Sequence, residues 1–75
     1  MMAKLPRDVS GRRVVAALHR RGFYVLHQRG SHIILRRDNA KSTVSVPDHA
    51  ALRVGTLRNI LHQAGIDVET FVELL

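Results

Sequence analysis

The sequence lacks cysteine and is poor in aromatic residues, with two phenylalanines, one tyrosine and no tryptophan among 75 residues. Without cysteine, neither a disulfide-stabilised secreted fold nor a thiolate metal site is possible. No apolar run reaches the roughly 18 residues that a membrane span requires, and no signal-peptide core is present. These absences favour a cytoplasmic protein without a membrane segment.

The short chain limits the number of domains. A domain of this length buries only about 60% of its unfolded surface, so one compact unit is the most that 75 residues can form. The sequence shows no internal repeat and no linker. We therefore expect a single domain over residues 1–75, with residues 1–8 as a flexible N-terminal arm.

Acidic residues are also scarce, with six against twelve lysines and arginines, which gives a net charge of +6. Three of the six (Asp67, Glu69 and Glu73) lie in the last nine residues, so residues 1–66 carry +9 from twelve cations and three acids. Ten of the cations are arginine, whose forked guanidinium suits phosphate. Such a surface could serve solubility alone, but it favours nucleic acid as the partner.

Hydrophobic periodicity and turn residues predict an α+β fold with the order α-β-β-β-α and a short final helix. Ser10 is a suitable N-cap for the first helix, which Gly22 is expected to end. Strands are predicted over 23–28, 32–37 and 42–46, a second helix from Gly55 to Gly65, and a last helix capped by Asp67. Two helices would then cover one face of a three-stranded antiparallel sheet and leave the other face open.

The hairpin turn decides which residues share the open face. With Arg29 and Gly30 as the turn, His27 lies directly opposite His32. The face under the helices then holds Tyr24, Leu26, Ile33, Leu35, Val44 and Val46. The open face holds the two histidines together with Phe23, Val25, Ile34, Arg36, Thr43 and Ser45. A shift of the strand pairing by one residue would move these side chains to the opposite face of the sheet.

Histidine and arginine side chains on one face suit acid–base chemistry on a phosphodiester. Imidazole gives and takes protons near neutral pH, and guanidinium offsets charge that develops on phosphate. RNA fits best because its own 2′-hydroxyl can be the nucleophile. The five histidines lack metal-ligand spacing and the acids lack pairing, so no metal site is expected. From the residues alone, an ordinary solvent-facing histidine is the more common interpretation of His32.

Three motifs, taken together, resemble the HicA/YcfA toxin family. They are Gly30-Ser31-His32 at the hairpin, Val46-Pro47-Asp48-His49 after the third strand, and Gly55-Thr56-Leu57-Arg58-Asn59-Ile60-Leu61 in the second helix. The resemblance covers the chain from about Ser10 onward. It implies a double-stranded-RNA-binding-domain-like fold, endoribonuclease activity on mRNA, and a HicB-like antitoxin that masks the site. It also implies that His32, in Gly-Ser-His, is the catalytic histidine.

The remaining site residues are assigned around His32. His27, where many relatives carry arginine, and Ser31 are possible catalytic support. The backbone N–H groups at the start of the second helix form a natural anion site. The predicted RNA-binding residues are Arg29, Arg36, Arg37, His49, Arg53, Thr56 and Arg58. No cofactor is expected.

Two other functions stay open. A non-catalytic RNA-binding module of the same fold would bring a lysine cluster at the start of the last long helix, where this chain offers only Arg53 and Arg58. A protein-interaction domain without a nucleic-acid role is disfavoured by the charge. An apolar patch formed by Val25, Ile34 and Phe23 beside the cations predicts that an acidic protein covers the open face.

Overall fold

A computed structural model of the protein describes residues 4–39 and 43–75. Its elements are α1 (Gly11–His19), β1 (Tyr24–Arg29), β2 (His32–Arg36), β3 (Val44–Pro47), α2 (Val54–Ala64) and α3 (Val68–Leu74). The three strands form one antiparallel sheet in the order β1-β2-β3. The predicted α+β fold and element order are therefore confirmed. Residue 42, the predicted start of the third strand, and residues 1–3 of the predicted arm lie outside the described residues.

The helix boundaries follow from their caps. The Ser10 hydroxyl accepts a hydrogen bond from the Arg13 backbone N–H at 3.1 Å, and the Asp67 carboxylate accepts one from the Thr70 N–H at 2.7 Å. α2 ends at Gly65, which is in the left-handed conformation. α1 ends before the predicted stop, because Gly22 lies in the turn that leads from this helix into β1.

The β1–β2 register differs from the predicted one. The turn consists of Gly30 and Ser31, so that Arg29, and not His27, lies opposite His32. His27 pairs with Ile34, which keeps it on the same face as His32 but moves it one row away. The prediction placed the turn one residue too early, because a glycine with positive φ fits either position of a two-residue hairpin; here Gly30 is the first, with φ 58°.

A β-bulge between Val25 and His27 changes the faces of the residues before it. Tyr24 and Leu26 were expected in the core, but they are 39% and 43% exposed. Val25 was expected on the open face, but it pairs with Leu35 and so lies on the helix side. Phe23 was also expected on the open face, but it is buried at 2% exposure. The predicted open-face patch of Val25, Ile34 and Phe23 is therefore wrong.

The core lies between β2, β3 and the helices. Ile33, Leu35, Val44 and Val46 are buried as predicted, together with Val14, Leu18, Leu57, Ile60 and Leu61. Both α1 and α2 pack mainly on β3, and all six residues of β1 remain exposed. The helices therefore cover only part of the sheet. Leu5, within the predicted arm, packs partly buried against this core. None of the helices in the described segments is long and apolar enough to cross a membrane.

Candidate active site

The open face of the sheet places the candidate residues in rows that run across the strands. Residues that pair directly lie on the same face, with Cβ atoms about 4.5–5.5 Å apart. Arg29, His32 and Pro47 form one such row, because His32 pairs with Arg29 on β1 and with Pro47 on β3. The next row contains His27, Ile34 and Ser45.

His32 lies in the middle strand of this face, where its side chain is exposed. Its direct neighbour Arg29 is an exposed guanidinium, and His27 is a diagonal neighbour at roughly 7–8 Å. Within residues 4–39 and 43–75, no carboxylate is hydrogen-bonded or ion-paired to the His32 ring. The arrangement therefore offers an accessible proton carrier beside a cation, without the carboxylate that orients histidine in a serine-protease triad.

Asp48 anchors the hairpin turn that precedes His32. Its backbone N–H donates to the Ser31 carbonyl at 2.6 Å. Its carboxylate accepts hydrogen bonds from the Arg12 guanidinium at 3.2 and 3.4 Å and from the Gln28 amide at 3.5 Å. The same Gln28 amide donates to the Gly30 carbonyl at 3.1 Å. The turn is thus joined to the end of β3 and to α1.

The N-terminus of α1 approaches this anchor closely. The Gly11 N–H donates to the His49 carbonyl at 2.9 Å, and a Cβ at Gly11 would collide with the Pro47 carbonyl. Glycine at this position therefore lets the helix approach the strand end that pairs with His32. Sequence reasoning did not assign a role to Gly11, Arg12, Gln28 or Asp48. The available signal was Asp48, the one acidic residue between Asp38 and Asp67.

A depression beside this row brings together three of the predicted RNA-binding residues. His49, Arg53 and Thr56 line it with Pro47, Ala51 and Leu52, and it lies at the N-terminus of α2. Pro47 also pairs with His32, so the depression and the histidine row share this residue. Backbone N–H groups at a helix N-terminus and a nearby arginine suit an anion. A phosphate chain could therefore extend from Arg29 across His32 to α2.

The other predicted cations are more scattered. Arg36 pairs with Tyr24 on the open face, two residues along β2 from Ile34. Arg58 is exposed on α2 but does not line the depression. Arg37 lies 4.9 Å from the centre of the buried Phe23 ring, so its guanidinium packs against the core and does not join the His32 row. Ser31 contributes its backbone carbonyl to the Asp48 anchor.

Acidic and histidine side chains in the described segments do not converge in any group of three or more that could hold a metal ion. The pKa of Asp67, far along the chain in the cap of α3, is lowered from its ordinary value, chiefly by the hydrogen bonds from Thr70. Neither observation involves the His32 row.

Comparison with known proteins identifies a family. The sequence model of a family described as "HicA toxin of bacterial toxin-antitoxin" matches residues 11–66. The matched range begins at α1 and ends after Gly65, and so includes the whole sheet, the Asp48 anchor and the depression at α2. A search of curated proteins found no match.

Proposed function

Because the chain belongs to the HicA toxin family of bacterial toxin–antitoxin systems, we propose that it is an endoribonuclease that cleaves mRNA in the cytoplasm without a metal ion. His32 is its general acid–base, and a HicB-like antitoxin masks it. The observation that carries this proposal is the direct pairing of His32 with Arg29 on an exposed sheet face.

The proposed reaction uses the 2′-hydroxyl of the RNA as the nucleophile. His32 removes the proton from this hydroxyl, the 2′-oxygen attacks phosphorus, and the bond from phosphorus to the 5′-oxygen breaks. The leaving 5′-oxygen takes a proton from His27 or from water. The products are a 2′,3′-cyclic phosphate and a 5′-hydroxyl end, and the nucleophile comes entirely from the substrate.

The neighbouring groups hold and neutralise the phosphate. Arg29 is close enough to His32 to contact the same phosphodiester, where its guanidinium offsets the charge that develops during attack. The depression lined by His49, Arg53 and Thr56 accommodates an adjacent phosphate. Such positioning lowers the barrier by fixing the substrate near its reactive geometry.

The test is the substitution His32→Ala, with His62→Ala as the matched control. Both histidines are exposed, but His62 lies on α2 outside the site. We expect His32→Ala to lower the cleavage rate by roughly 10²–10⁴-fold. We also expect it to change the free energy of unfolding by no more than about 0.5 kcal/mol, because the side chain fills no buried space. His62→Ala should cleave at the wild-type rate.

The assay is done in EDTA on an RNA oligonucleotide and on the same oligonucleotide with a 2′-deoxy residue at the cut site. Cleavage should persist in EDTA and stop on the 2′-deoxy substrate. A comparable loss in His27→Ala would make the two histidines an acid–base couple. Wild-type cleavage by a folded His32→Ala protein would refute the mechanism. Tight RNA binding without cleavage by the wild-type protein would favour the non-catalytic RNA-binding module.

A further inference from the structure

β1 is an unusually accessible edge strand. Among the described residues it pairs with β2 alone, and all six of its residues are exposed. Three of the four large hydrophobic residues that the described surface exposes, namely Tyr24, Val25 and Leu26, are consecutive in this strand. An edge strand presents unpaired backbone N–H and C=O groups that can pair with an extended segment of another chain.

A groove of about 470 Å³ runs beside this edge, between β1 and α1. It exists because the helices pack towards β3 and leave the helix side of β1 uncovered. Val15, Ala16, Val25 and Ile33 form its apolar lining, and Arg12, His19 and Gln28 complete it. An added strand beside β1 would direct alternate side chains into this groove, because successive residues of a strand point to opposite faces.

The charge around this edge is mostly positive. Residues 9–37 contain seven arginines and three histidines but no aspartate or glutamate. His27 and Arg29 lie on the open face of β1, and Arg12 lines the groove on the other side. Asp48, which follows β3, forms an ion pair with Arg12, so Arg29 is the cation of this edge that faces a partner. The complementary partner is therefore acidic as well as apolar.

We propose that β1 and the α1–β1 groove bind an extended acidic segment of the antitoxin, which adds as a fourth strand along the outer edge of β1. Its apolar side chains enter the groove, and alternate carboxylates face His27 and Arg29. Two strand spacings, or roughly 10 Å, separate such a strand from β2. The carboxylate opposite Arg29 therefore lies in the same row as His32, one strand farther out. This proposal rests on the proposed function only for the identification of the partner as the antitoxin.

The test measures peptide binding to the ¹⁵N-labelled His32→Ala protein, so that its result does not depend on cleavage. The probe is a ten-residue peptide of alternating valine and glutamate, and the control peptide alternates valine and lysine. We expect saturable shifts of the β1 and α1 amide signals with the glutamate peptide, weaker in high salt, and none with the lysine peptide.

Two valine substitutions test whether the peptide binds at the α1–β1 groove. Val25→Glu places a carboxylate in the groove, whereas Val72→Glu makes the same change at an exposed valine on α3. We expect Val25→Glu to weaken peptide binding about tenfold or more, because it adds like charge and removes apolar contact. Val72→Glu should bind as the parent does. If Val25→Glu fails to fold, Ala16→Glu on the exposed side of α1 provides the same test.

Several results would overturn the proposal. These are absence of binding, equal binding of the lysine peptide, or equal loss in Val72→Glu. A concentration-dependent dimer that Val25→Glu dissociates would assign the edge to a second copy of the chain. Shifts of the same amides by RNA alone, without peptide binding, would assign it to the substrate. Loss of the catalytic mechanism in the His32 test would leave the peptide result unchanged, so the two failures are distinguishable.

Discussion

The neighbours of His32 depend on which two residues form the preceding turn. The sequence was sufficient to place His27 and His32 on one open face. This assignment is correct because the actual turn shifts the strand pairing by two residues, and a shift of two keeps both histidines on the same face. It was not sufficient to identify Arg29 as the residue opposite His32, since glycine is accepted at either turn position. The Asp48 anchor was also missed, because its partners Arg12 and Gln28 are distant in sequence and meet only in the fold.

Two arginines with similar predicted roles have different surroundings, which allows a direct comparison. Arg29 is exposed beside His32, whereas Arg37 packs over the Phe23 ring. Arg29→Ala should reduce the slope of log affinity against log salt concentration by about 0.7 for single-stranded RNA, because one phosphate contact is lost. Arg37→Ala should leave this slope unchanged and cost about 0.5–1 kcal/mol in unfolding free energy. Equal slopes for both variants would contradict the proposed phosphate path.

The strands differ in how well the sequence predicts which side chains face the core. β3 alternates clearly, and its buried Val44 and Val46 match the prediction. In β1 three apolar residues follow one another, so period-two alternation cannot assign their faces. The bulge at this point is not visible in the sequence and produces the incorrect assignments of Tyr24 and Leu26.

The packing of α1 on the end of β3 can be tested at Gly11. A Cβ at this position meets the Pro47 carbonyl, so Gly11→Ala should push the helix away from the strand that pairs with His32. We expect a loss of about 1–3 kcal/mol in unfolding free energy, measured by urea titration. Gly55→Ala is the control, because open space surrounds that position and alanine favours helix. Equal stability of both variants would show that the close approach is not required.

The stabilisation of α3 by its N-cap residue Asp67 should be lost at low pH. Hydrogen bonds from Thr70 hold the pKa of Asp67 below its ordinary value of 3.8, and Arg21 lowers it further. A lowered pKa in the folded state means that the cap stabilises α3 above pH 3.8 and loses this effect as pH falls through the folded value. NMR titration of the Asp67 carboxylate should therefore give a midpoint below 3.8. In Asp67→Asn the Thr70 amide should lose its titration; a midpoint at or above 3.8 would contradict the cap.

The hydrophobic core of the molecule lies on one side of the sheet, where α1 and α2 pack on β3. Leu57 is fully buried there, so Leu57→Ala should cost about 2–5 kcal/mol. A domain of this size has a total stability of roughly 4–11 kcal/mol, so the loss is a large part of it. Leu26→Ala removes the same side chain from the exposed bulge and should cost less than about 1 kcal/mol. If Leu26→Ala cost nearly as much unfolding free energy as Leu57→Ala, the result would instead support the predicted burial of Leu26.

The one-sided packing also implies a gradient of local opening. The β3 amide hydrogens that bond to β2 should exchange only when the domain unfolds, because both long helices rest on this strand, whereas β1 can separate from β2 without disturbing the core. Separation of β1 removes Arg29 and His27 from the histidine row while His32 stays in place. RNA bound across the row should slow hydrogen exchange in β1 by as much as in β3 when the open β1 state cannot bind it, because neither that state nor the unfolded chain then holds RNA.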